Sequence, residues 1–225
     1  YELIDSSDIL LIEETSLLIL NDLELLESFL QSLPKFSILE SVLQKLNLTT
    51  HSPLSPYRQI AGEILRAIQN NLTKLDLIRL NEDSFLQYDQ PLKDKKGVLI
   101  TDDLYLRNLI CMENNVIRTG NIFNILEFLS EKNIFAEDVL QEKLIHVSKL
   151  GIVNLNMRLD FLGKSLNYFL SGSEVLDYKD TDFQYLFDKI MFIHSGFKDK
   201  YKLFLDIFLY VDKLTKITND AKRFF

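Results

Sequence analysis

The sequence predicts an α/β fold, a parallel sheet covered by helices and followed by a C-terminal helical extension. Three observations predict it. Short continuous apolar runs at 9–12, 36–39 and 98–100 have the pattern of strands buried on both faces. Stretches with helical spacing separate them, and strands alternating with helices imply βαβ crossovers. All four prolines, Pro34, Pro53, Pro56 and Pro91, lie in the first 91 residues, so the remainder is free to be mostly helical.

The elements follow in order. Residues 9–12 form the first strand. Asn21 or Asp22 caps a helix that places Leu23, Leu26, Phe29 and Leu30 on one face. The run 36–39 is a second strand, and a short helix covers 41–46. Pro53 and Pro56 lead into a helix at 57–72 with Ile60, Ile64, Leu65 and Ile68 as its stripe. Residues 75–80 alternate apolar and charged, as a short strand does, and 81–96 are a polar loop. The run 98–100 is the next strand, and Thr101, Asp102 and Asp103 supply the N-cap of a helix through Leu104, Leu106, Leu109 and Ile110. Residues 115–118 form a further strand, and Gly120 and Asn121 turn the chain into a helix at 122–129. Leu140, Leu144, Val147 and Leu150 then make a stripe closed by Gly151. A small strand at 152–155 and helices at 158–170, 182–194 and 198–213 complete the chain. The organisation is thus an α/β domain over 1–165 and a helical extension over 166–225, packed on that domain or on a partner.

Composition limits the function classes. The chain has 225 residues, 47% hydrophobic and 26% charged, with 16 Phe, 9 Tyr and no Trp, which excludes disorder and low complexity. A chain of this length buries roughly 70% of its unfolded surface and needs no disulfide. The single cysteine, Cys111, points to a reducing compartment, so the expected location is cytoplasmic. No stretch reaches the roughly 18 apolar residues of a membrane span. A sequence opening on Tyr1 also fits a piece of a longer protein, so further domains count among the expected partners.

The net charge of −8 argues against non-specific nucleic-acid binding, but it hides an asymmetry. Residues 189–225 hold eight Lys and Arg against four Asp, a local balance of +4 that leaves −12 for the rest. Lysines there alternate with aromatics such as Phe197, Tyr201 and Phe204, which suits RNA phosphates and bases, although helical spacing makes core packing the default for the aromatics. His51, His146 and His194 lack metal-ligand spacing, and Cys111 reads as an inert packed thiol. The seven scattered glycines form no phosphate loop, and no GxSxG elbow is present.

Open α/β sheets place their sites in loops at the carboxyl ends of the strands. Two such loops are acidic here, Glu13-Glu14-Thr15-Ser16 and Thr101-Asp102-Asp103. Carboxylates converging on one sheet edge suit Mg²⁺ or Mn²⁺. Such an ion acidifies a bound water and offsets charge on a phosphodiester. The structural alternative is that Asp102 and Asp103 cap a helix and complement its dipole.

The segment 12–18, Ile-Glu-Glu-Thr-Ser-Leu-Leu, resembles the opening strand motif of PIN domains. Residues 97–107 resemble their later acidic strand end, and 115–121 resemble the next strand and its turn. The Leu-rich helices and Gly-Ile strand up to about residue 162 look like the tail of toxin-like members. The resemblance covers roughly the first 165 residues. It implies a metal-dependent nuclease acting on RNA, with Glu13, Asp102 and Asp103 as catalytic and metal-holding acids, Thr15 beside the first acid and Asn121 in the polar turn. Two departures stand out. The first acid is Glu13 where the family usually has Asp. Lys45, in Val42-Leu43-Gln44-Lys45-Leu46, stands where the family pattern has a glutamate. Glu40, five residues earlier, lies about 140° around a helix and points elsewhere. Two functions are therefore expected in competition. One is a Mg²⁺- or Mn²⁺-dependent ribonuclease. The other is a catalytically inactive module for protein interaction, in which Lys45 enters the pocket and pairs with Glu13 or Asp103.

Overall fold

In the computed structural model the described residues are 4, 7–79, 92, 97–113 and 117–150. The chain divides into two compact units, Tyr1–Ile134 and Phe135–Phe225. The expected boundary at 165, the strand at 152–155, all later helices, the basic aromatic end and most of the loop at 81–96 lie outside the described residues.

The first unit is built on a sheet of strands β1 (Ile9–Ile12), β2 (Phe36–Leu39), β3 (Leu75–Ile78), β4 (Gly97–Ile100) and β5 (Arg118–Gly120). Their order is β3-β2-β1-β4-β5, and every pairing is parallel. The continuous apolar runs occupy the interior of the sheet, where both faces are covered, and β2 and β4 are buried along their whole length. The alternating segment forms edge strand β3, which is only partly buried. The last strand covers 118–120, with Val98 opposite Arg118 and Ile100 opposite Gly120; residues 115 and 116 of the expected 115–118 lie outside the described residues.

The helices are α1 (Glu14–Asp22), α2 (Leu26–Ser32), α3 (Glu40–His51), α4 (Arg58–Gln69), α5 (Leu104–Glu113) and α6 (Ile122–Glu131), and α7 (Glu137–Lys149) belongs to the second unit. Crossovers of the usual right hand put α1–α4, which connect β1 through β2 to β3, on one face of the sheet, and α5, which connects β4 to β5, on the other. Consistent with this, α4 packs on α1, α2 and α3. Phe29 of α2 and Phe128 of α6 meet edge to face, with centroids 6.1 Å apart.

The first helix corrects the sequence expectation. It begins at Glu14 and is capped by Glu13, so Asn21 and Asp22 lie at its end rather than capping its successor. Glu24 then takes a left-handed φ of 58°, and Leu25 N–H donates to Leu20 O, a turn that separates α1 from α2. The face expected for α2 is correct, since Leu26, Phe29 and Leu30 are all buried. Helix α3 runs beyond the expected 41–46 because nothing breaks it before Pro53. In α4 the buried residues are Ala61, Ile64, Ala67 and Ile68, while Ile60 and Leu65 are half-buried. In α7 Leu140, Leu144 and Val147 are buried, whereas Leu150 is 46% exposed. Among the described residues no helix is long and apolar enough to cross a membrane.

Gly97 allows β4 to start. A Cβ there would lie 2.5 Å from Leu92 Cδ2 and 3.1 Å from Leu92 Cα, and Leu92 is fully buried. Gly97→Ala is therefore expected to cost about 1–2 kcal/mol by overpacking, read as a lowered urea midpoint at unchanged m-value.

Candidate active site

A chain that runs β1 to β2 to β3 in one direction and then returns to place β4 on the other side of β1 creates a switch point between β1 and β4. Crevices that hold ligands in open α/β sheets lie beyond the carboxyl ends of strands at such a point. The register pairs Ile12 with Ile100, so Glu13 and Thr101 leave the sheet side by side. Glu13 N–H donates to Ile100 O at 2.9 Å, and Thr101 N–H to Gly120 O at 2.9 Å, which extends the ladder one residue into the site.

Three helix N-termini meet here, and each is capped by an acidic or amide side chain. Glu13 caps α1: its Oε2 accepts from Thr15 N–H at 2.9 Å, from the Thr15 hydroxyl, and from Thr101 Oγ1 at 3.2 Å. Asp103 caps α5 through Oδ1, which accepts from Leu106 N–H at 3.0 Å, while its own N–H donates to Thr101 Oγ1 at 3.2 Å. Asn121 caps α6 by accepting from Phe123 and Asn124 N–H, and the Asn124 side chain returns a bond to Asn121 N–H. Asp102 ties two of these helices together. Its Oδ2 accepts from Ser16 Oγ on α1 at 2.7 Å, and its Oδ1 accepts from Ile122 N–H, the first amide of α6, at 3.0 Å.

The electrostatics follow from burial. Glu13 is 7% exposed, and desolvation pushes its carboxyl above the ordinary value of 4.5, against the bonds from Thr15 and Thr101 and together with the nearby Glu14 charge. Desolvation likewise raises Asp102 above 3.8, opposed by the Ile122 amide, the Ser16 hydroxyl and the positive charge of Arg107. Arg107 is itself buried, on the first turns of α5. Asp103 is exposed. Lys45 does not reach Glu13 or Asp103. Its Nζ lies 2.7 Å from Glu14 Oε2, in a pair whose ammonium end is 66% exposed, worth under about 1 kcal/mol of stability.

The structure thus brings Glu13 and Thr15 together and links them through the Thr101 hydroxyl to the backbone of Asp103. Asp102 lies beside the Asn121 turn, bonded to the next residue. Among the described residues no three His, Cys, Asp or Glu side chains form a group able to hold a metal ion. Sequence reasoning missed four participants: Ser16, Thr101, Glu14 and Arg107. The hydroxyls carried a signal, since both stand within the acidic loops. Arg107 lies five residues after Asp102, a spacing that gives no local pairing signal. No family model matches the chain, and no curated protein or solved structure does so.

Proposed function

We propose that this chain is a PIN-like module that binds a protein partner and does not hydrolyse RNA, its acidic edge being engaged by the protein's own hydrogen-bond donors and, at Glu14 and Asp102, partly offset by its own cations. The observation that carries this reading is the pair of compensating charges. Lys45 sits 2.7 Å from Glu14, at the position where the resemblance calls for an acid, and buried Arg107 partly opposes the desolvation of Asp102. The carboxylates also have other employment: both Asp102 oxygens accept hydrogen bonds that fix α1 and α6, and Glu13 and Asp103 cap their helices. As they stand, these oxygens do not fit the ligand set of a divalent cation.

A second reading keeps metal-dependent ribonuclease activity, with Glu13 and Asp103 holding Mg²⁺ or Mn²⁺ and Asp102 assisting. The observation in its favour is the desolvation of Glu13 and Asp102 at the switch point, a cost that a cation would relieve. The two readings separate in a cleavage assay on a labelled single-stranded RNA with millimolar Mn²⁺. The proposal expects no product above the buffer control. Mn²⁺-dependent cleavage that disappears in Asp103→Asn overturns it.

A further inference from the structure

Residues 41–62 contain no Asp or Glu, in a chain that has 33 of them. This acid-free stretch comprises most of α3, the connection to α4, and the first turns of α4. Within ten residues of sequence it also carries three large exposed apolar side chains, Leu48 at 72%, Leu54 at 92% and Tyr57 at 63%. Exposed apolar side chains concentrated in one short stretch of an otherwise acidic protein point to an interaction site.

The connection holds these side chains outward by design of its backbone. Ser55 N–H donates to Ser52 O at 3.2 Å, and Arg58 N–H donates to Ser55 O at 3.3 Å, two turns in succession. Pro53 and Pro56 occupy the second position of each, where the fixed φ of proline favours the turn. Leu54 and Tyr57 are therefore presented by a preorganised loop, and docking onto them orders little that is not already ordered.

Beside the turns an open groove of about 740 Å³ runs along α4, with Arg58 and Arg66 at its two ends and Gly62 between them. Glu63 also lines it, but its carboxylate already accepts from Asn21 at 3.1 Å and from Gln59 at 2.9 Å. Arg58 and Arg66 are exposed, and among the described residues neither takes part in a salt bridge. They lie eight residues apart on one helix, about 12 Å along its axis.

We infer that this face docks an acidic amphipathic helix of a partner protein. The apolar side of that helix covers Leu48, Leu54 and Tyr57, and its carboxylates pair with Arg58 and Arg66, where guanidinium groups bind carboxylates in bidentate fashion. Charge complementarity selects the occupant: of the charged residues lining the groove, Arg58 and Arg66 outnumber Glu63, which also interacts with Arg66, so the patch keeps a positive balance that favours acidic segments over basic ones. The inference rests on the reading of the chain as a binding module, yet it is tested apart from it, because Mn²⁺-dependent cleavage would overturn that reading without altering peptide binding.

The test is fluorescence polarisation with a labelled peptide of about 18 residues, roughly five helical turns, carrying leucines at i, i+3, i+4 and i+7 spacing and glutamates elsewhere. A control peptide replaces every glutamate with lysine. The intact chain is expected to bind the acidic peptide and to prefer it over the basic one, with affinity that falls as salt rises. Arg58→Glu/Arg66→Glu and, separately, Leu54→Ser/Tyr57→Ser should each weaken binding by about tenfold or more while the circular dichroism spectrum stays that of the wild type. Equal binding of both peptides, or variants that bind as the wild type does, overturns the inference. So does displacement of the acidic peptide by a uridine oligonucleotide of higher affinity, which would make the face a nucleic-acid surface. Concentration-dependent dimerisation lost in the same variants would assign the face to a second copy of the chain and also overturn it.

Discussion

Asp102→Ala should destabilise the first unit by about 2–4 kcal/mol, measured as a fall in the urea midpoint. Its carboxylate is the acceptor for two donors from elements far apart in sequence, Ser16 on α1 and Ile122 at the start of α6. Truncation leaves a buried hydroxyl and a helix-start amide without their partner, and an unmet buried donor costs more than the bond itself contributes. Asp102→Asn separates this structural role from charge. The amide oxygen can still accept from Ile122 N–H, while the Ser16 hydroxyl turns to accept from the amide. The Asn variant should therefore lose no more than about 1 kcal/mol. Equal losses in the two variants would mean that the charge, not the bonding geometry, holds the helices.

Glu13→Ala should cost about 2–3 kcal/mol, through a lost helix cap and an unpaired Thr101 hydroxyl, and Glu13 also makes the stability depend on pH. Burial raises the carboxyl above 4.5 in the folded state, so that state binds the proton more tightly than the unfolded chain. Stability from this group is fully present below 4.5 and is lost as pH rises through the raised folded value. Asp102 acts in the same direction from its ordinary value of 3.8. Glu13→Gln removes one titration and retains an acceptor. Denaturation midpoints followed from neutral pH downward should show the wild type gaining on the Gln variant as pH falls towards 4.5. A difference that is constant over the range, or that moves in favour of the Gln variant as pH falls, contradicts the assignment.

Much of this architecture is legible in the sequence because burial on both faces writes continuous apolar runs. β1, β2 and β4 sit where Ile9, Phe36 and Val98 begin or enter such runs, and the acidic loops follow β1 and β4 as expected. What the sequence hides is non-local or ambiguous. Glutamate is a weak capping signal beside Asp, Ser or Thr, so the helix α1 that Glu13 caps is not expected from the sequence, and Asn21 and Asp22 read instead as the cap of α2. Asp102 reads locally as a cap for α5, but its partners lie 86 and 20 residues away. Lys45 invites a pairing with Glu13 or Asp103, yet a helix that leaves β2 beside α1 brings it to Glu14, 31 residues distant. The extension of β5 past Arg118 to Gly120 follows from its pairing with β4 and not from local propensity.

In the proposed reading hydrogen bonds from the protein, with Lys45 at Glu14 and Arg107 near Asp102, occupy the acidic edge in place of a metal ion. It is tested most directly by titrating the intact chain with Mn²⁺ and following the free ion by electron paramagnetic resonance, with Lys45→Glu measured alongside. No saturable site is expected in the wild type, and Mn²⁺ affinity should rise when Lys45→Glu removes the ammonium beside Glu14 and adds a carboxylate. A saturable wild-type site that is abolished by Asp103→Asn would contradict it.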